Sequence, residues 1–213
     1  MLPDSPIARI VVNLPAFLLA IILHEIAHGY VAYLCGDDTA KRAGRLTLSP
    51  LPHIDPLGAI VFIITSMAGV PFGWAKPVPV ALHRLRNPRR DEVLVTLAGP
   101  GANLLQAFAW AILLRLAARY LGGDLAVSVV TFCYLGVAIN VILMLFNLLP
   151  IPPLDGSHVA LRLLGVDDPH LADRLAPIGF ILLFLLVGTR LFGVFYAGVV
   201  EPVIRLFLPP YLL

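Results

Sequence analysis

Charged residues are scarce in this chain of 213 amino acids. Only 13% of the residues are Asp, Glu, Lys or Arg, and 59% are hydrophobic, whereas an ordinary soluble domain carries roughly 25% charged residues. A soluble core of this size could not bury so much apolar surface, so the composition excludes a soluble globular domain and indicates that the bilayer acts as solvent. We therefore expect an all-α polytopic membrane protein.

Cysteine is nearly absent too. Cys35 and Cys133 are the only two and form no CxxC pair, which excludes a disulfide framework and a thiolate metal site. The N-terminus also lacks the basic segment and small-residue cleavage site of a secretory signal peptide. We expect its first apolar run to be retained as a membrane span.

Long apolar runs are what the sequence has in abundance. The strongest predicted spans are residues 7–34, 93–118 and 126–149, and residues 178–200, with a continuation to 208, supply one or two more helices. These runs predict about four to six membrane segments. They form a single domain over residues 1–213, with a core at 7–165 and C-terminal helices at 175–208.

The polar stretch between the first two spans predicts a short insertion. Residues 54–72 are apolar but interrupted by prolines and glycines, so a re-entrant segment is favoured over a full span. Residues 44–48 alternate as a short strand does, and residues 78–80 are typical of an extended edge. The expected insertion is therefore a short β and re-entrant element.

Basic residues are concentrated in the same stretch. Eight of the fifteen Lys and Arg residues lie between Cys35 and Glu92, and basic loops prefer the cytoplasmic side of a membrane. The Arg86–Arg90 cluster would also suit nucleic acid, but we favour a juxtamembrane anchor against the lipid and predict no nucleic-acid partner. A cytosolic insertion brings the ends of the first and third spans to one face.

His24, Glu25 and His28 form an HExxH motif near the end of the first span. Helical residues four apart share a face, so both imidazoles can bind one zinc ion while Glu25 serves as a base. Ionisable residues in an apolar span are costly and usually functional. The alternative is a polar cluster that only contacts neighbouring helices.

A third ligand is needed, because catalytic zinc usually takes three from the protein. The candidates are Asp155, His53, His158 and scattered loop acids. Asp155 is favoured because it follows the third span and returns to the face of His28. Its surroundings fit a turn or a helix N-cap equally well, so the residues alone leave its role open.

Two segments together resemble the site-2 protease family of intramembrane zinc metalloproteases. They are His24-Glu25-Ile26-Ala27-His28-Gly29 and Asn147-Leu148-Leu149-Pro150-Ile151-Pro152-Pro153-Leu154-Asp155-Gly156. That family pairs an HExxH helix with an NxxPxPxLDG segment. Three shorter segments are similar to family segments as well: residues 44–48, 73–80 and 98–103. The resemblance covers about residues 7–165, and the chain is similar to a minimal form of the family without a PDZ domain.

The resemblance implies one Zn²⁺ per chain, held by His24, His28 and Asp155, with Glu25 as the catalytic base. It also implies that Asn147 assists the substrate or the oxyanion, although helix packing is an equal alternative for this residue. His53 and His158 are possible supports of the site from outside the metal ligands.

The implied activity is zinc-dependent hydrolysis of peptide bonds in or near transmembrane segments, with membrane-embedded proteins as substrates. We expect a multi-pass protein of a prokaryotic plasma membrane, its active site towards the cytosol; no oligomeric state is predicted. A zinc-binding membrane transporter and a non-catalytic membrane scaffold are the alternatives.

Overall fold

The computed structural model describes residues 6–67, 73–166, 168 and 170–210, with the backbone alone given for residues 6–9. The helices are, in chain order, α1 (Pro6–Leu34), α2 (Thr39–Arg42), α3 (Pro56–Met67), α4 (Pro88–Tyr120), α5 (Gly123–Asn147), α6 (Asp155–Leu163), α7 (Leu171–Gly188), α8 (Arg190–Phe195) and α9 (Glu201–Phe207). A π-helical turn, Tyr196–Val200, joins α8 to α9. Two 3₁₀ turns, Leu51–His53 and Leu82–Arg84, lie in connecting loops.

Four of the described helices are long and apolar enough to cross a membrane, namely α1, α4, α5 and α7. Helix α3 has 12 residues and would reach only about 18 Å, short of the roughly 30 Å hydrocarbon core. The prediction of an all-α polytopic membrane protein is confirmed.

Helix α4 is the central element, packing along both α1 and α5. Its small residues Ala107 and Ala111 are buried against Val137 and Val141 of α5, because small side chains let two helices approach closely. The chain enters α4 through Pro88, which suits the first position of a helix, so α4 begins earlier than the predicted span.

The end of α1 is tied to the segment that precedes α4. Asp37 is fully buried, and its carboxylate accepts hydrogen bonds from the backbone N–H groups of Thr39 (3.0 Å) and Ala81 (2.6 Å). Burial alone would raise the pKa of Asp37, but these hydrogen bonds and that of the Thr39 hydroxyl outweigh it and lower the pKa. We call residues 73–81 the extended segment.

The predicted strand at residues 44–48 is wrong. The chain turns at Gly44, whose φ is +66°, and residues 46–48 form bends. The guanidinium of buried Arg45 donates to the carbonyls of Lys76 (2.5 Å) and Pro77 (3.0 Å), and this inward contact replaces a strand pairing. Within the described residues, β pairing in this insertion is an isolated bridge between Ile54 and Ala75.

The re-entrant segment predicted at 54–72 contains α3, and its residues 68–72 lie outside the described part of the chain. At the C-terminus, α7 begins before the predicted span and ends at Gly188. Thr189 then accepts a hydrogen bond from the N–H of Leu191 and starts the short α8. The apolar C-terminal run is therefore one spanning helix followed by a broken one.

Candidate metal centre and its cavity

Helix α1 presents His24 and His28 on one face. They are four residues apart, so their side chains lie one above the other along the helix. Their Nε2 atoms are 3.0 Å apart. The spacing of the motif thus brings the two imidazole nitrogens within reach of one ion.

Asp155 approaches the same point from the first turn of α6. Its Oδ2 atom lies 3.3 Å from His24 Nε2 and 3.5 Å from His28 Nε2. Among the described residues, these three side chains are the group of His, Cys, Asp and Glu close enough to hold a metal ion. The structure therefore brings together the three predicted ligands, although they come from distant parts of the sequence.

Both histidines point an Nε2 lone pair inwards. His28 Nδ1 lies 2.7 Å from the carbonyl oxygen of Val95, which can only accept, so Nδ1 carries the hydrogen. His24 Nδ1 lies 2.6 Å from Asn103 Oδ1, also an acceptor. With the hydrogens on Nδ1, both Nε2 atoms can bind one cation between them.

The geometry of the three atoms fits zinc. Ligands bound at about 2.0–2.1 Å in a tetrahedron lie about 3.3–3.4 Å from one another, and the observed separations are 3.0, 3.3 and 3.5 Å. Asp155 Oδ2 is buried without a hydrogen-bond partner, as expected of an oxygen reserved for a metal.

Gly99 of α4 provides the room for the two imidazoles. A Cβ atom at this position would lie 2.3 Å from His28 Nε2 and 2.6 Å from His24 Nε2. Any side chain at residue 99 would therefore collide with the ligand atoms themselves.

Glu25 is held by the extended segment. Its Oε2 atom accepts a hydrogen bond from the backbone N–H of Val78, with an N···O distance of 2.7 Å. The segment is fixed in turn by the Arg45 guanidinium and by the bond from Lys76 N–H to the carbonyl of His53 (2.8 Å). The hydrogen bond from Val78 N–H thereby orients the Glu25 carboxylate next to the metal ligands.

The metal ligands and Glu25 open into one large cavity of about 1410 Å³. Its lining includes Asn13 in the first half of α1, the loop residue His83, and residues of α5 and α7. The wall is largely apolar; Phe17, Ile21 and Phe180 are examples.

Asn147 also lines this cavity, at the end of α5. Its Nδ2 atom donates to the carbonyl of Leu143 at 2.9 Å, which occupies one of its two amide hydrogens. The remaining hydrogen and the carbonyl oxygen of the side chain stay available to a ligand in the cavity.

The two other predicted histidines lie in different places. His53 is buried in the insertion, with Nε2 2.9 Å from the carbonyl oxygen of Thr47, and it is not among the residues that line the cavity. His158 lines the cavity and lies 3.7 Å from the carboxylate of Glu92. The latter also pairs with Arg162.

Sequence reasoning missed Asn103, Gly99 and the Val78 N–H as parts of this site. Asn103 is a polar residue inside an apolar span, and this signal could have marked it as functional. A backbone N–H leaves no signal in a sequence, and Gly99 is marked there only as part of residues 98–103, which are similar to a family segment.

Residues 116–186 match the profile of Peptidase family M50. Over 178 residues the chain is 40% identical to "Putative zinc metalloprotease YwhC" of Bacillus subtilis, covering 82% of this chain and 78% of that protein. The chain belongs to peptidase family M50. The predicted resemblance to site-2 proteases is thereby confirmed.

Further relatives agree with this assignment. "Putative zinc metalloprotease Rip2" of Mycolicibacterium smegmatis is 32% identical over 197 residues, which cover 88% of this chain and 70% of that protein. Rip2 of Mycobacterium tuberculosis is 34% identical over 190 residues, covering 83% of this chain and 66% of that protein. No solved structure matches the chain. This M50 peptidase is a multi-pass membrane metalloprotease with Zn²⁺ as its cofactor.

Proposed function

We propose that this peptidase is an intramembrane endopeptidase that hydrolyses peptide bonds in or near transmembrane segments of other membrane proteins. The observation that carries the proposal is the position of the metal ligands, which open into a cavity walled by the spanning helices α1, α5 and α7. A substrate reaches such a site most directly from within the membrane.

The cavity wall supports an apolar substrate. Phe17, Ile21, Leu143 and Leu183 line it, and they suit the aliphatic and aromatic side chains of a membrane segment. A soluble peptide would have to give up water for a largely apolar surface. A helical substrate must also unwind locally, because its own hydrogen bonds and side chains shield the peptide bond.

His24, His28 and Asp155 would hold the zinc ion, which when bound polarises the scissile carbonyl and makes water a stronger nucleophile. Glu25 accepts the proton of the attacking water and passes it to the leaving amine. Asn147 donates its free amide hydrogen to the carbonyl oxygen as negative charge develops there. The Val78 N–H keeps Glu25 oriented during both proton transfers.

We also propose that the site faces the cytosol of a prokaryotic plasma membrane. Helix α1 ends, and α6 begins, on the side where the basic loops lie, and such loops prefer the cytoplasm. The partners would be membrane-embedded protein substrates and the surrounding lipid.

The decisive test uses the purified full chain in detergent with a pool of single-span membrane peptides, read by mass spectrometry. The wild type should cleave, and Glu25→Gln should not cleave while keeping its zinc, because the amide cannot accept the proton. Glu201→Gln is a matched control, since Glu201 pairs with Arg205 and is not among the cavity-lining residues; it should cleave normally.

Cleavage that survives Glu25→Gln would refute the assigned base. Intact peptides from a folded, zinc-loaded wild type would refute the endopeptidase. Zinc uptake by proteoliposomes would then separate a transporter from a non-catalytic scaffold.

A further inference from the structure

Two fully buried side-chain amides, those of Asn103 in α4 and Asn140 in α5, are connected to the metal ligand His24 by hydrogen bonds. We propose that they are positioning residues, which hold His24 in the tautomer that leaves Nε2 free for the metal. The proposal deepens the proposed function and rests on its assignment of His24 as a zinc ligand.

A chain of hydrogen bonds runs from the Gly136 carbonyl through Asn140 and Asn103 to His24, and the Gly136 carbonyl sets the direction of each bond. Asn140 Nδ2 lies 2.9 Å from the backbone carbonyl of Gly136, which can only accept. Asn140 must therefore turn its Oδ1 towards Asn103, whose Nδ2 lies 2.9 Å away. Asn103 in turn must point its own Oδ1 at His24.

His24 then has to donate. Its Nδ1 is 2.6 Å from Asn103 Oδ1, so the hydrogen resides on Nδ1 and the lone pair on Nε2. Asn103 Nδ2 is also 3.3 Å from the carbonyl of Ala20, a second acceptor that opposes a flip of the amide. A backbone carbonyl of α5 thus determines which nitrogen of His24 can bind zinc.

The two ligands of α1 are oriented in different ways. His28 donates to a main-chain oxygen, that of Val95, and no side-chain substitution removes this acceptor. His24 depends on a side chain, so its orientation can be changed by mutation at one position. Partners of this kind usually affect metal affinity about 10- to 100-fold.

Simple helix packing is the competing explanation, because amides often hydrogen-bond between membrane helices. Gln106 offers the matched control. It is buried on α4 one turn beyond Asn103, and its Nε2 lies 3.4 Å from the same carbonyl of Ala20. In the described part of the chain, Gln106 shares this acceptor with Asn103 but makes no hydrogen bond to either histidine or to either asparagine.

The test measures zinc affinity of the full chain in detergent by chelator competition, with thermal unfolding of the zinc-free protein alongside. Asn103→Leu should weaken zinc binding about 10- to 100-fold, and Asn103→Asp, which keeps an acceptor for His24, should restore most of it. Asn140→Leu should cause a smaller loss, since Ala20 still anchors Asn103. Gln106→Leu should bind zinc as the wild type does.

Wild-type affinity in Asn103→Leu, or an equal loss in Gln106→Leu, would overturn the proposal. A second measurement needs no amide substitution: ¹⁵N-histidine NMR of the zinc-free wild type at alkaline pH, with His24→Gln to assign the signal, should show neutral His24 with its hydrogen on Nδ1. The opposite tautomer would overturn the proposal even if Asn103→Leu fails to fold. A wild type that binds no zinc would instead refute the metal centre and the proposed function.

Discussion

Replacing Gly99 by alanine should strongly weaken zinc binding at the site, although the substitution adds only one methyl group. The new Cβ would lie 2.3 Å from His28 Nε2 and 2.6 Å from His24 Nε2. Non-bonded heavy atoms prefer separations of about 3.5 Å, so at least one imidazole must retreat by about 1 Å. Metal–ligand distances tolerate only about 0.2 Å. We expect zinc to bind at least about 100-fold more weakly, equivalent to about 2.7 kcal/mol.

Gly101 provides the control for this substitution. It lies two residues further along α4, and a Cβ there would meet nothing within 4 Å. Alanine is favoured over glycine in a helix by about 0.5–1 kcal/mol, so Gly101→Ala should be as stable as the wild type or more so, with normal zinc affinity.

The proline after Gly99 does not confuse the comparison. A residue that precedes proline is disfavoured in a helix, yet Ala176 precedes Pro177 within α7 of the same protein. Chelator competition and thermal unfolding in detergent are the assays. Wild-type zinc affinity in folded Gly99→Ala would refute the steric reasoning and the placement of α4 against the histidines.

Two further substitutions test the extended segment. Val78→Pro removes the N–H that donates to Glu25; because a hydrogen bond to a charged group contributes about 1.5–3 kcal/mol, peptide cleavage should slow roughly 10- to 100-fold with zinc retained. Val78→Ala keeps the N–H and should lose much less, and equal rates of cleavage by the two variants would contradict the assigned role. Asp37→Asn should lower the unfolding temperature by several degrees at neutral pH, because the folded pKa of Asp37 is depressed and its carboxylate accepts bonds from Thr39 and Ala81. That stabilisation is complete above the unfolded pKa of about 3.8 and is lost as the pH falls through the folded pKa, so the two proteins should converge in acid; a constant difference down to low pH would argue against it.

The spans and the pairing of His24 with His28 could be predicted because their signals are local, whereas topology only favoured Asp155 and the resemblance to site-2 proteases implied it as the third ligand. Helical periodicity places His24 beside His28, and two membrane crossings, by α4 and α5, return Asp155 to the same face as His28. Neither inference needs to know how the helices rotate about their axes.

The contacts around the ligands depend on that rotation, and so they could not be predicted. Nothing in the sequence states that α4 turns Asn103 towards His24, or that the extended segment places a main-chain N–H beside Glu25. The prediction of a short strand at residues 44–48 is wrong for a related reason. In the sequence, Leu46 and Leu48 alternate with polar residues, but in the structure it is Arg45 that turns inwards to main-chain carbonyls while Leu48 is exposed.

The division of the ligands between α1 and α6 has a consequence for the protein during its synthesis and membrane insertion. Helices α1 and α4 are synthesised first, and they carry both histidines together with their hydrogen-bond partners Val95 and Asn103. Asp155 emerges only after α5 has been made. A nascent chain therefore carries two ligands without the third, and its hydrolytic centre stays incomplete until most of its own membrane helices are in place.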